Sequence, residues 1–267
     1  MNYICPVCKS KLYQEEKSFK CENNHCYDIS SKGYVNLYLN SKKNKNHGDN
    51  KLMVKARKDF LLKGYYDDLR EEIAKAVKDN SVENPIVLDA GCGECYYTDL
   101  IEKSLNNAEV FAVDISKDAL FVGARKNRKL HCCVASVFSL PFEDESFDTV
   151  ISIFSPFCKD EYQRVLKKNG MFLMVIPKEE HLFNLKKLIY DKPYKNEVKD
   201  FQIDGFEFKG KIDVDKDIEI DNNEDIMNLF MMTPYYYKTG EKEQSRARQA
   251  KYLKTKISFA ILLYKKR

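Results

Sequence analysis

The chain has 267 residues, 43% of them hydrophobic and 32% charged, with a formal net charge of +4. This suits one large α/β domain with a small appendage, and no run approaches the roughly 18 apolar residues of a membrane-spanning helix. The cysteines number nine, an odd count. Met1-Asn2-Tyr3 runs directly into Cys5 and leaves no room for a secretory signal, so a reducing cytoplasm with thiols or metal ligands is expected.

Residues 1–35 are cysteine-rich and too few to build a core. Cys5, Cys8, Cys21 and His25 read C-x2-C-x12-C-x3-H. Two ligand pairs close in sequence present thiolate and imidazole at low loop cost, as tetrahedral zinc requires, and metal would supply the missing folding energy. Cys26 competes with His25 for the fourth position. With all ligands from protein, the ion would be structural. Lys9, Lys11, Lys17 and Lys20 could touch phosphate without reading sequence.

Residues 36–51 read as a basic linker with a turn at Gly48-Asp49-Asn50, and residues 52–267 as the main domain. Leu52–Lys63 and Leu69–Val77 look helical, separated by Gly64. Short apolar runs at Ile86–Ala90, Glu109–Val113, His131–Ala135, Phe147–Ile153 and Met171–Ile176 suit buried parallel strands. Helix-like segments at Tyr97–Leu105, Lys117–Lys126 and Lys159–Leu166 lie between them, the last stopped by Asn169-Gly170. This alternation implies a mostly parallel, doubly wound α/β sheet. Residues 190–222 are acidic and irregular, and Ile257–Tyr264 is a strongly β-prone terminal strand.

Charge is unevenly spread. Ser245–Arg267 holds eight Lys/Arg and no acid, Lys42–Lys58 holds seven against Asp49 alone, and Glu197–Asp225 holds eleven acids against four lysines. Such blocks suggest an anionic partner meeting one side of the molecule, unless they are simply a lysine-rich surface.

The most informative stretch is Val87-Leu88-Asp89-Ala90-Gly91-Cys92-Gly93-Glu94-Cys95, with Asp114 ending the following apolar run. Strand, glycine turn, helix, strand and acid is how an open sheet holds a nucleoside: the turn admits close backbone approach and the acid meets ribose hydroxyls. The spacing differs from the dinucleotide G-x-G-x-x-G form. It resembles the acid-x-G-x-G-x-G signature of class I S-adenosylmethionine methyltransferases, which have a Rossmann-like fold, with Cys95 where a glycine is usual.

Together with the cysteine module the resemblance runs nearly end to end. Lys32-Gly33-Tyr34-Val35-Asn36-Leu37, Gly48-Asp49, Ala56-Arg57, Phe60-Leu61, Gly64-Tyr65-Tyr66, Val134-Ala135-Ser136, Leu140-Pro141-Phe142, His181-Leu182 and Met232-Thr233-Pro234 all contribute. The chain resembles the bacterial 23S rRNA (guanine-N1) methyltransferases. The resemblance implies a zinc-binding head on a Rossmann-like body, S-adenosylmethionine as cofactor, a 23S rRNA hairpin as partner and a homodimer.

Gly91 and Gly93 are then expected at the cofactor, although they could simply make a tight turn. Glu94 matches a position that touches the cofactor; otherwise it is a solvated carboxylate at a helix start. Asp114 could accept two hydrogen bonds from a cis-diol, or cap the next helix if Ser116 does not. Ser136 sits where this superfamily reads the adenine edge. Tyr66 and His181 fall on positions near the cofactor, where a tyrosine face can attract a sulfonium; the alternative for either ring is a packed aromatic. The target base is expected near Phe154-Ser155-Pro156. No catalytic base stands out; Asp160 and Glu161 are only candidates. Two other readings remain: methylation of another RNA, and a non-catalytic zinc-dependent RNA-binding protein whose Cys95 closes the pocket.

Overall fold

The computed structural model describes residues 3–39, 49–198 and 200–267. Strands β1 (Tyr13–Glu15), β2 (Ser18–Lys20) and β3 (Cys26–Asp28) form a small antiparallel sheet. The head has too few apolar side chains to close a core, so it shares one. Tyr3 meets Phe19 at 5.2 Å within the head, stacks on Phe142 at 5.2 Å and meets Phe111 edge-on at 5.7 Å in the body.

Next come β4 (Tyr34–Asn36), α1 (Lys51–Leu61), α2 (Asp67–Asp79), β5 (Ile86–Ala90), α3 (Tyr96–Ser104), β6 (Glu109–Asp114), α4 (Lys117–Lys126) and β7 (His131–Val134). The second half holds β8 (Phe147–Ile153), α5 (Lys159–Val165), β9 (Leu166–Pro177), α6 (Phe183–Ile189), β10 (Phe206–Ile220), α7 (Asn223–Met231), α8 (Glu241–Gln249) and β11 (Leu253–Lys266). The large sheet has the order β10-β11-β9-β8-β5-β6-β7-β4. Its strands run parallel except β11, which is antiparallel to both β9 and β10. The expected mostly parallel sheet is present.

The central strands read as continuous apolar runs because both faces are covered. Val87 and Leu88 are fully buried in the hydrophobic clusters on opposite faces. The chain passes from β5 outward to β6 on one side and returns to β8 on the other. That reversal opens a crevice at the carboxyl ends of these strands.

Two expectations need correction. Asn169-Gly170 is not the helix stop: α5 ends at Val165, Leu166 already pairs with Phe147, and Asn169 (φ +64°) lies inside β9 at a register shift. Fully buried Leu166 takes a strand position, which ends the helix early. The irregular 190–222 segment contains the 15-residue strand β10. The turn expected at Gly48–Asn50 is only partly described, and there Asn50 caps α1 by accepting from the Met53 N–H at 2.9 Å. Strand β4 also spans the division expected between residues 35 and 36.

Nor is the carboxyl-terminal basic block a free cationic face. Lys254 pairs with Glu219 at 2.8 Å, Lys256 lies 3.6 Å from Asp215 and Lys266 lies 3.5 Å from Glu145. Arg246 and Arg248 pair with Asp191 and Glu241. Pairing β10 with β11 brings acidic and basic stretches together and cancels much of the expected field.

Candidate cofactor site and metal centre

In the head, tight turns at Cys5–Ser10 and Cys21–His25 point their side chains at a common centre. His25 Nδ1 lies 3.4 Å from Cys21 Sγ and 3.5 Å from Cys5 Sγ, and Cys8 Sγ lies 3.6 Å from Cys21 Sγ. All four donor atoms fall within 4.8 Å of one another. Zinc bonds of tetrahedral geometry place such atoms about 3.5–3.8 Å apart, so the donor set fits that ion. Cys26 is exposed and lies outside the group. Hydrogen bonds from Asn23 and Ser10 hold the Cys8 thiol down at about 5, while burial raises that of Cys21. Tyr27, whose hydroxyl lies 3.2 Å from Cys5 Sγ, is an outer contact that spacing did not reveal.

The glycine turn follows β5. Gly91 has φ +92°, and a β-carbon there would lie 2.2 Å from Ser155 Cβ. Ser155 is held in place by donating to the Ala90 carbonyl at 2.6 Å. Gly93 (φ +55°) donates its N–H to Asp114 Oδ2 at 2.9 Å, and the Ser116 N–H donates to Oδ1 at 2.7 Å. Ser116 Oγ caps α4, so Asp114 is left to brace the turn. Burial raises the Asp114 carboxyl, and those two N–H groups oppose the rise.

Cys95 keeps the glycine-like backbone, φ +59°. Its thiol turns away from the crevice toward α4, where a β-carbon on Gly123 would come within 2.6 Å of Cys95 Sγ. A side chain gained at 95 is matched by one missing at 123, and the crevice stays open.

Glu94 is a buried carboxylate rather than a solvated one. It accepts from Arg57 Nε at 2.8 Å, and Arg57 Nη1 meets Asp49 Oδ2 at 2.5 Å. Burial alone would lower the Arg57 guanidinium, but Glu94 and Asp49 more than offset this and hold it above its usual value. Asp49 and Arg57 line the same crevice, and the sequence reading gave neither a role. Beneath the turn, burial pushes Asp89 up to about 7, opposed by the Thr98 hydroxyl, which donates to it at 2.6 Å.

An aromatic wall closes the side toward β11. Tyr66 meets Phe259 at 5.2 Å and His181 meets it at 4.2 Å. His181 Nδ1 accepts the Ser258 N–H at 3.2 Å, which leaves the proton on Nε2, and burial holds the ring's pKa down to about 3. The imidazole is therefore neutral at physiological pH. Tyr66, Gly91, Gly93, Glu94, Asp114, Ser136 and His181, the seven residues expected at the cofactor, line one cavity of about 660 Å³. Asp160 and Glu161 do not line it, and Glu161 is committed to Arg164 and the Leu140 N–H.

A parallel sheet with one reversed strand, a glycine turn at its switch point and an acid closing the next strand define a class I S-adenosylmethionine-dependent methyltransferase, here carrying a zinc ribbon. Residues 87–170 match a methyltransferase domain model, and residues 3–45 match a zinc ribbon model described as RlmA, N-terminal. The fold is similar to that of the YcgJ protein from Bacillus subtilis, with TM-score 0.52, 16% identity, 74% of this chain and 97% of that one. A Bacillus subtilis protein provisionally named a 23S rRNA (guanine-N1) methyltransferase is 32% identical over 200 residues, covering 72% of this chain and 70% of its own. The 23S rRNA (guanine(748)-N1)-methyltransferase of Streptomyces fradiae is 30% identical over 184 residues, covering 68% of this chain and 65% of its own. The chain belongs to the 23S rRNA (guanine-N1) methyltransferase family.

Proposed function

We propose that this protein transfers a methyl group from S-adenosylmethionine to N1 of a guanine in a 23S rRNA hairpin. The observation that carries this reading is the open crevice braced by Asp114 on the Gly93 and Ser116 N–H groups. In this reading Asp114 accepts from the ribose diol, Gly91, Gly93 and Glu94 border the methionine end, and Ser136 borders the adenine. Tyr66 and His181 face the sulfonium. Cys5, Cys8, Cys21 and His25 hold a structural zinc.

S-adenosylmethionine, when bound, supplies a methyl already activated by its sulfonium. The protein's task is then to orient and to exclude water. The aromatic wall of Tyr66, His181 and Phe259 keeps the reacting end dry. Neutral His181 offers an Nε2–H that can donate to an acceptor such as guanine O6, which would ease loss of the N1 proton. It cannot serve as an imidazolium acid at neutral pH.

RNA attraction is assigned to the α4 side rather than to the carboxyl terminus. Lys32 and Arg125 lie 5.6 and 5.8 Å from the ring of exposed Phe121, and neither has an acidic partner among the described residues. We further read residues 1–35 as the zinc module, 36–51 as the linker and 52–267 as the catalytic body. A homodimer in the cytoplasm completes the reading; no helix among the described residues is long and apolar enough to cross a membrane.

Calorimetry and methyl transfer test it together. Wild-type protein should bind S-adenosylmethionine and methylate an unmodified 23S rRNA transcript. Asp114→Ala should weaken donor binding by about 10- to 100-fold, as expected for losing charge-assisted hydrogen bonds. Donor binding without transfer to any ribosomal RNA would sink the rRNA assignment. Absence of donor binding would favour the non-catalytic RNA-binding alternative.

A further inference from the structure

At the carboxyl end of β8 the chain does something costly. Phe154 adopts φ +56°, a left-handed conformation unfavourable for any residue with a β-carbon. The residue is nevertheless 46% exposed, so the strain does not serve to bury it. Strained backbone held by its surroundings concentrates at sites where it positions something.

The surroundings here hold it firmly. The neighbouring Ser155 hydroxyl donates to the Ala90 carbonyl at 2.6 Å and lies 2.8 Å from Ser152 Oγ. Ser155 Cβ occupies the space that a side chain on Gly91 would need. Tyr162 donates its hydroxyl to the Pro156 carbonyl at 3.0 Å. The loop is thus fastened to the turn that borders the cofactor, and the ring keeps a fixed relation to it. Part of the ring packs on Phe259 at 5.0 Å and meets Tyr97 at 6.3 Å; the rest is open at the lip of the cavity.

We infer that Phe154 is the platform on which the unpaired target guanine stacks during methyl transfer. This rests on the reading of the protein as an rRNA methyltransferase. A base reached in a hairpin must leave its own stack. An exposed ring on a rigid mount replaces the lost neighbour, and its place beside the switch point lies on the β8 side of the turn, away from Asp114. Ser155 is a positioning residue that acts through the loop.

The test compares variants on an unmodified 23S rRNA transcript and, separately, on S-adenosylmethionine alone by calorimetry. Phe154→Ala should raise KM for the transcript about tenfold, in line with the loss of one stacked base, while donor affinity changes less than twofold. Phe154→Tyr should restore KM. Phe154→Asn, which tolerates the left-handed backbone, should share the KM defect, showing that the ring and not the backbone conformation is responsible. An unchanged KM in Phe154→Ala, or an equal loss of donor affinity, overturns the stacking role while leaving the rRNA reading intact. Wild-type protein that binds donor but methylates no transcript overturns both.

Discussion

Cysteines in the head and in the body have opposite fates. Cys5, Cys8 and Cys21 converge with an imidazole on one point in a segment with little core of its own. Cys92, Cys95, Cys132 and Cys133 are buried in a packed interior, where burial pushes the Cys92 and Cys133 thiols up and keeps them protonated. A thiol in a core behaves as a small hydrophobe. One residue type thus serves coordination in one region and packing in the other, and the density of apolar neighbours separates the two.

Removing one donor should give the largest contrast. Cys8→Ser should abolish bound zinc by elemental analysis and expose the head to limited proteolysis, because metal contributes about 10–16 kcal/mol in isolated zinc peptides. Cys133→Ser should leave metal content unchanged and cost about 1–3 kcal/mol for a poorly satisfied buried hydroxyl. A head that resists protease without metal would break the distinction.

Acidity sharpens it further. Metal ligands must be deprotonated, so the head gains stability as pH rises. Asp89 works the other way. With its folded pKa pushed up to about 7 by burial, folding takes up a proton between roughly pH 4 and 7, and stability falls as pH climbs through that window. The span corresponds to something on the order of 4 kcal/mol. Asp89→Asn should flatten this decline and raise the unfolding midpoint at pH 8; an unchanged pH profile would refute the assignment.

The smallest effect concerns the matched pair at the turn. Gly123→Ala should destabilise by about 1–3 kcal/mol, because the new methyl meets Cys95 Sγ at 2.6 Å. In a Cys95→Gly background part of that loss should vanish, the remainder coming from the Glu94 backbone 3.0 Å away, giving a coupling energy in a double-mutant cycle. Additive losses would show that the two positions do not share space.

Much of this architecture was legible because it is local. The β5 turn, Asp114 and the four zinc donors are read from motif spacing, since each follows a recurrent pattern of residue types within a few tens of residues. Strand β10 was legible in principle: Ile212, Val214, Ile218 and Ile220 alternate with Lys211, Asp213, Asp217 and Glu219, a period of two masked by the heavy charge. The Asp49–Arg57–Glu94 network was not legible, because Arg57 and Glu94 lie 37 residues apart and meet only after folding. The αL conformation of Phe154 was hidden for a similar reason, since nothing in its own side chain favours it.

Strand β4 carries one more consequence. Its three residues cover the outer row of N–H and C=O groups on Cys132–Val134, the margin of the sheet. A body trimmed of its metal-bearing head would present that row bare, inviting a neighbouring molecule to complete the ladder. The short strand between head and body therefore shields that margin of the large sheet from edge-to-edge association.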